Sequence, residues 1–79
     1  MKKQTYISCL EDENGKMINF ERWSYKNINT IVNKLKTLYQ YSIYKSSLEK
    51  SKTLVIYETP DGYNKNKIPV LKIAIDELL

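Results

Sequence analysis

The chain has 79 residues, room for one domain with one core, and at this size only about 60–65% of the unfolded surface can be buried. Thirteen Lys and Arg against nine Asp and Glu give a net charge of +4, which permits an acidic partner without requiring one. No histidine is present, so the commonest general base at neutral pH and the commonest metal ligand are excluded. Cys9, the one cysteine, excludes an internal disulfide and points to a cytoplasmic protein.

A hydrophobic content of 42% with seven tyrosines is that of a folded chain. Met-Lys-Lys opens the sequence, but Glu11, Asp12 and Glu13 follow where a signal peptide needs its apolar run, so no secretory or membrane segment is expected.

Lys3 to Leu10 alternates in side-chain type and leads to Asp12-Glu13-Asn14-Gly15. Asn-Gly accepts the positive φ angles of a type I′ hairpin turn. With Asn14-Gly15 as a two-residue loop, Glu13 faces Lys16, Glu11 faces Ile18, Cys9 faces Phe20, Ile7 faces Arg22 and Tyr6 faces Trp23. This register puts Ile7, Cys9, Ile18 and Phe20 on one side of the ribbon.

Between Asn27 and Tyr39, Ile28, Ile31, Val32, Leu35, Leu38 and Tyr39 recur at i, i+3, i+4, i+7, i+10 and i+11, the stripe of an amphipathic helix resting on a core. Ser24 or Asn27 supplies its N-cap, and the helix is expected to run to about Tyr41. Ser42 to Lys52 reads as an irregular or short helical connection, with Tyr44 and Leu48 four apart but serines weakening any long helix.

Thr53 to Glu58 is a strand by its β-branched and aromatic content. Pro60-Asp61-Gly62 is a turn, Tyr63 to Lys67 lengthens the loop, and Pro69 opens a last strand from Val70 to Ile75. Asp76 to Leu79 can form a final turn. The order is ββαββ: an α+β domain over residues 1–79, with one helix across one face of a four-stranded, mainly antiparallel sheet.

Motifs for catalysis are thin. Cys9 opposite Phe20 reads as a small buried thiol, since no cation stands near it in the sequence to favour a thiolate. The acidic turn at Glu11 to Glu13 is too short for a calcium loop, whose oxygen ligands alternate over about twelve residues. Asp76 and Glu77 are neighbours that point apart on a strand. Gly15 and Gly62 stand in separate turns and build no phosphate loop. No enzyme activity, metal or cofactor is expected; the remaining catalytic route is a histidine-free nuclease.

Two surfaces carry the functional expectation. From Lys26 to Lys52 the chain holds six lysines against Glu49 alone. Lys34, Thr37 and Tyr41 share the helix face away from the apolar stripe, and Lys45 joins them if the helix persists. Such a face can track phosphates and stack a base, which makes Lys34, Tyr41 and Lys45 the nucleic-acid-binding candidates.

With Ile7, Cys9, Ile18 and Phe20 under the helix, the opposite sheet face shows Tyr6, Leu10, Met17 and Trp23. Val55 and Tyr57 add to it, with Val70, Lys72 and Ala74 on the corresponding side of the last strand. Monomers rarely expose a contiguous apolar patch above a few hundred Å², so Tyr6, Leu10, Met17, Trp23 and Tyr57 are the protein-binding candidates. Covering by Ser42 to Ser51 or by Leu78 and Leu79, pairing with a second copy, and docking on a host protein or nucleoprotein are the three fates of that face.

The abundance of Lys, Asn, Ile and Tyr fits an AT-rich coding sequence of a low-GC bacterium or its phages and plasmids. In size, composition and α+β pattern the chain is similar to small phage-encoded proteins that act by binding, anti-CRISPR and other host-takeover inhibitors among them. That general likeness transfers no residue roles. The expected function is a non-catalytic protein-binding module acting as an inhibitor; the alternative is nucleic-acid binding through the lysine-rich helix face.

Overall fold

The computed structural model describes residues 5–24, 27–60 and 66–78. Its elements are β1 (Thr5–Glu11), β2 (Met17–Ser24), α1 (Ile28–Leu38), a 3-10 turn (Ser42–Tyr44), α2 (Lys45–Lys50), β3 (Thr53–Glu58), β4 (Ile68–Ala74) and α3 (Ile75–Leu78). The strands form one antiparallel sheet in the order β2-β1-β3-β4. The expected α+β sheet is present, with α2 and α3 added to the single predicted helix. The predicted turn at Asp61-Gly62, the loop through Lys65, and Lys26 and Leu79 lie outside the described residues.

The first hairpin turns one residue earlier than predicted. Gly15 N–H donates to Asp12 O at 3.0 Å and Asp12 N–H to Lys16 O at 2.9 Å. Glu13 and Asn14 therefore occupy the centre of the turn, and Gly15, at φ 81°, takes the left-handed position that favours glycine. Asp12 Oδ1 accepts from the N–H groups of Asn14 and Lys16, both at 2.9 Å, so the acidic tip is a self-capped turn. Glu11 consequently pairs with Met17 instead of Ile18, and a bulge restores the predicted register, with Cys9 opposite Phe20, Ile7 opposite Arg22 and Tyr6 opposite Trp23.

In α1, Asn27 is the N-cap, its Oδ1 accepting from Thr30 N–H at 2.8 Å. The helix ends three residues short of the predicted limit. Gln40 N–H bonds Thr37 O and Tyr41 N–H bonds Leu38 O, so the chain tightens into i→i+3 turns before the 3-10 segment begins. Ser51 closes α2, its Oγ donating to Ser47 O at 2.7 Å. Pro69 lies inside β4 rather than ahead of it, opposite Tyr57 and next to a second bulge. An edge strand tolerates it because no inner neighbour is owed its N–H. The chain turns into α3 at Ile75, one residue before the predicted strand end.

On the first hairpin the helices cover the face opposite to the one expected, except at Ile18, which packs against them as expected. Ile31 and Leu35 are fully buried against Tyr6, Leu10, Leu54 and Ile56, with Tyr39, Ile75 and Leu78 in the same cluster. Ile28, Val32, Leu38, Tyr44 and Leu48 pack around it. Leu54 and Ile56 line this core from β3; Ile7, Cys9 and Phe20 were expected in it and are not. The register of β1 on β3 sets Cys9 beside Val55 and Leu10 beside Leu54, which fixes the odd residues of β1 on the outer face. Ser8 faces the helices, fully buried, its Oγ accepting from Trp23 Nε1 at 2.9 Å. A polar residue on the core face is tolerated once its hydrogen bond is made.

Candidate functional site

The predicted protein-binding residues divide between the two faces. Tyr6 and Leu10 are buried in the helix-covered core and are removed from any free surface. Trp23 is half-buried beside them, packed against the same core. Met17 and Tyr57 lie on the outer face as expected. Val55 lies there too, as expected, and residues assigned to the helix side complete the face: Ile7 and Cys9 form a buried floor with Val55, and Phe20 stands on it with 43% of its surface exposed, beside Met17 at 48%.

The outer face has a built polar margin. Tyr57 OH donates to Glu11 Oε2 at 2.5 Å, and Lys67 Nζ lies 5.1 Å from the centre of the Tyr57 ring, a cation–π contact. Lys72, paired with Val55, is exposed on the same side, and Val70 is exposed next to it. Burial, then the Glu11 hydrogen bond and charge, push the Tyr57 hydroxyl well above the ordinary tyrosine range. Burial also raises the Cys9 thiol to about 11, with Glu11 adding to the effect and Lys67 opposing it. Cys9 therefore carries a thiol at neutral pH and packs as a small apolar side chain.

Both sheet edges are blunted. On β2 the Phe20 N–H is taken by Asn19 Oδ1 at 2.8 Å, and β4 carries Pro69, a bulge and Lys72. Such edges discourage pairing with an added strand.

The predicted nucleic-acid candidates meet on the other side of the molecule. Thr30, Asn33, Lys34 and Thr37, one turn apart along α1, form a wall facing Trp23, with Leu38 beneath and Tyr41 closing the end. The groove they line is shallow and largely open to solvent, with a volume of about 630 Å³. Among the described residues, Lys34 is its single charged lining residue. Tyr41, 61% exposed, is shared with a second depression of about 500 Å³ lined also by Lys45, Leu48 and Ile75. Trp23 was assigned to the sheet surface, yet it belongs here with Lys34 and Tyr41. The turn after α1 brings Tyr41 to that wall without the longer helix that was expected.

Among the described residues, no group of three or more Cys, Asp and Glu side chains is placed to hold a metal ion, and no helix is long and apolar enough to cross a membrane. Comparison with protein-family models, with curated proteins and with solved structures gives no match, so the functional reading rests on these two surfaces alone.

Proposed function

We propose that the chain is a non-catalytic protein-binding module that docks its outer sheet face on a host protein or nucleoprotein and acts by occluding the surface it covers. One observation carries this reading: Phe20 and Met17 stand half-exposed over a floor of Ile7, Cys9 and Val55, while the described helices all pack on the other face. Large apolar side chains on a buried floor are the usual anchors of a binding hot spot, and flanking charges guide the encounter. Lys67 and Lys72 supply those charges here. A second copy docked face to face would bring the same lysines together on two chains that each carry +4, so a heterologous partner with an acidic rim fits better than self-pairing. The cytoplasm, where a lone thiol stays reduced, goes with this reading. Its place in the repertoire of a phage or mobile element is supported by the AT-rich residue usage alone.

The test is capture from the lysate of a low-GC bacterium, with wild type against Phe20→Ser and Met17→Ser. A host protein retained by wild type and lost with both variants, at unchanged circular dichroism, is the expected result. Equal retention by all three sinks the proposal. Sedimentation of wild type alone is expected to show a monomer, and a dimer dissolved by Phe20→Ser would replace the host protein with a second copy.

A second reading, nucleic-acid binding through the α1 face, is favoured by the convergence of Trp23, Lys34 and Tyr41 on one groove.

A further inference from the structure

We infer that the groove between α1 and Trp23 holds an unpaired nucleic-acid strand, with bases against Trp23 and Tyr41 and a phosphate at Lys34. This deepens the nucleic-acid reading and rests on it. It is independent of the outer sheet face.

Three observations carry the inference. The first is composition: among the described residues, the groove is lined by two aromatic side chains, one cation, three side chains able to hydrogen-bond neutral edges (Thr30, Asn33 and Thr37) and no carboxylate. Stacking surfaces interleaved with a cation are what an unpaired strand requires, because every base offers a π face and every linkage a negative charge. In this groove an apolar peptide would leave Lys34, Asn33 and the threonines without partners, and an acidic peptide would leave the aromatic rings unused.

The second is continuity. Tyr41 belongs both to this groove and to the neighbouring depression that holds Lys45. The two depressions therefore meet at one exposed ring, with one lysine in each, and both are open rather than closed cups. This arrangement suits a strand with successive phosphates, where a mononucleotide would use one lysine and leave the other idle. Glu49 is the carboxylate of the second depression and places the electrostatically favoured end at Lys34.

The third is preorganisation. Trp23 Nε1 is held by Ser8 Oγ at 2.9 Å, so the indole is fixed in the wall before anything binds. Glu21, two residues earlier on the same strand face, accepts from Tyr44 OH at 3.4 Å and is turned toward α2. The wall residues of α1 are set by a capped helix whose other side is locked into the core.

Trp23 is the chain's only tryptophan, which makes the site self-reporting. The experiment follows its fluorescence and, in parallel, the anisotropy of a labelled thymidine oligonucleotide, at low and at physiological salt. Single-stranded oligonucleotide is expected to quench Trp23 and raise the anisotropy over the same concentration range. Tyr41→Ala is expected to weaken binding roughly 5- to 100-fold, as loss of a stacking partner does. Lys34→Gln is expected to make the slope of log affinity against log salt shallower by about 0.7. Phe20→Ser, on the other face, should leave both signals unchanged.

Binding by anisotropy without quenching, and indifferent to Tyr41→Ala and Lys34→Gln, keeps the nucleic-acid reading and overturns this site. No anisotropy change at either salt overturns both. Equal competition by thymidine monophosphate, by a duplex of the same length or by polyglutamate overturns the unpaired strand as occupant. Tyr41 and Lys34 are exposed, so unchanged circular dichroism of the two variants is expected and separates loss of the site from loss of the fold.

Discussion

Leu10, Leu54 and Ile56 on the inner side of the sheet, and Ile7, Cys9 and Val55 on the outer side, are all nearly or wholly inaccessible, but by different means. The inner residues are covered by another layer, the helices α1, α2 and α3. Among the described residues no helix packs over those outside; their neighbours across the sheet are Phe20, opposite Cys9, and Tyr57, opposite Ile7, and Phe20 remains half-exposed itself. Burial by a covering layer is bound up with folding; burial by flanking side chains leaves a surface that a partner can complete. The difference separates residues that hold the fold from residues free to bind.

The largest expected effect breaks the inner face. Leu35→Ala, at a fully buried position, should cost about 2–5 kcal/mol in denaturant unfolding, a large share of the stability of a small domain. An unchanged midpoint would remove α1 from the centre of the core. Smaller is the effect at Ser8, where Ala takes away the acceptor of Trp23 Nε1. A loss of about 1 kcal/mol is expected, with a shift in tryptophan emission as the indole re-solvates. If the emission of Ser8→Ala matches wild type, the bond does not fix the ring.

A third prediction sharpens the comparison through pH. The hydroxyls of Tyr39, in the inner core, and Tyr57, on the outer face, are both pushed up by burial, and next by the Glu21 charge and the Glu11 hydrogen bond respectively. Below the ordinary tyrosine value near 10 both folded and unfolded chains keep these protons, and their contribution to stability is complete. Above it the unfolded chain deprotonates first, so stability should fall as pH rises from about 9 to about 11. The rise of the Cys9 thiol to about 11 acts in the same direction. Tyr57→Phe should flatten that decline while costing about 1 kcal/mol at neutral pH. A decline as steep as that of wild type would locate the titration elsewhere.

The smallest effect on stability is expected on the outer face. Phe20→Ser should cost no more than about 1 kcal/mol in denaturant unfolding, well below Leu35→Ala, because the ring is only about half covered. Loss of the fold with this substitution would show that Phe20 belongs to the core after all, and the two faces would no longer differ.

Local chemistry was legible in the sequence. The α1 stripe, the Asn27 cap and the limits of β3 were all readable, because each depends on residues a few positions apart. So was the pairing of Tyr6 with Trp23. What the sequence concealed was the sign of the sheet. β1 is a central strand, apolar at Tyr6, Ile7, Cys9 and Leu10, so alternation does not say which side is inward. β2 offered one large ring to each face, Phe20 and Trp23, and Ser8 looked like a solvent position. Only the pairing of β1 with β3 decides the matter, and it joins segments far apart in the chain. The groove was half legible for the same reason: Lys34, Thr37 and Tyr41 share a face by helical spacing, while Trp23 reaches them only through the fold.

Thr5 and Thr59 close the far end of that central pairing. Thr59 N–H and Oγ1 both donate to Thr5 O, at 2.9 and 3.1 Å, and Thr5 Oγ1 donates to Thr59 O at 3.4 Å, across 54 residues of sequence. Joining distant segments costs loop entropy before any contact repays it. The hairpin of β1 and β2 and the helix α1 can form from neighbouring residues, but the sheet is not continuous until β3 has inserted between β1 and the strand that follows it. Refolding should thus be limited by the arrival of β3, and Thr59→Ala, which removes the side-chain half of the clasp, should act chiefly by letting the closed sheet open sooner.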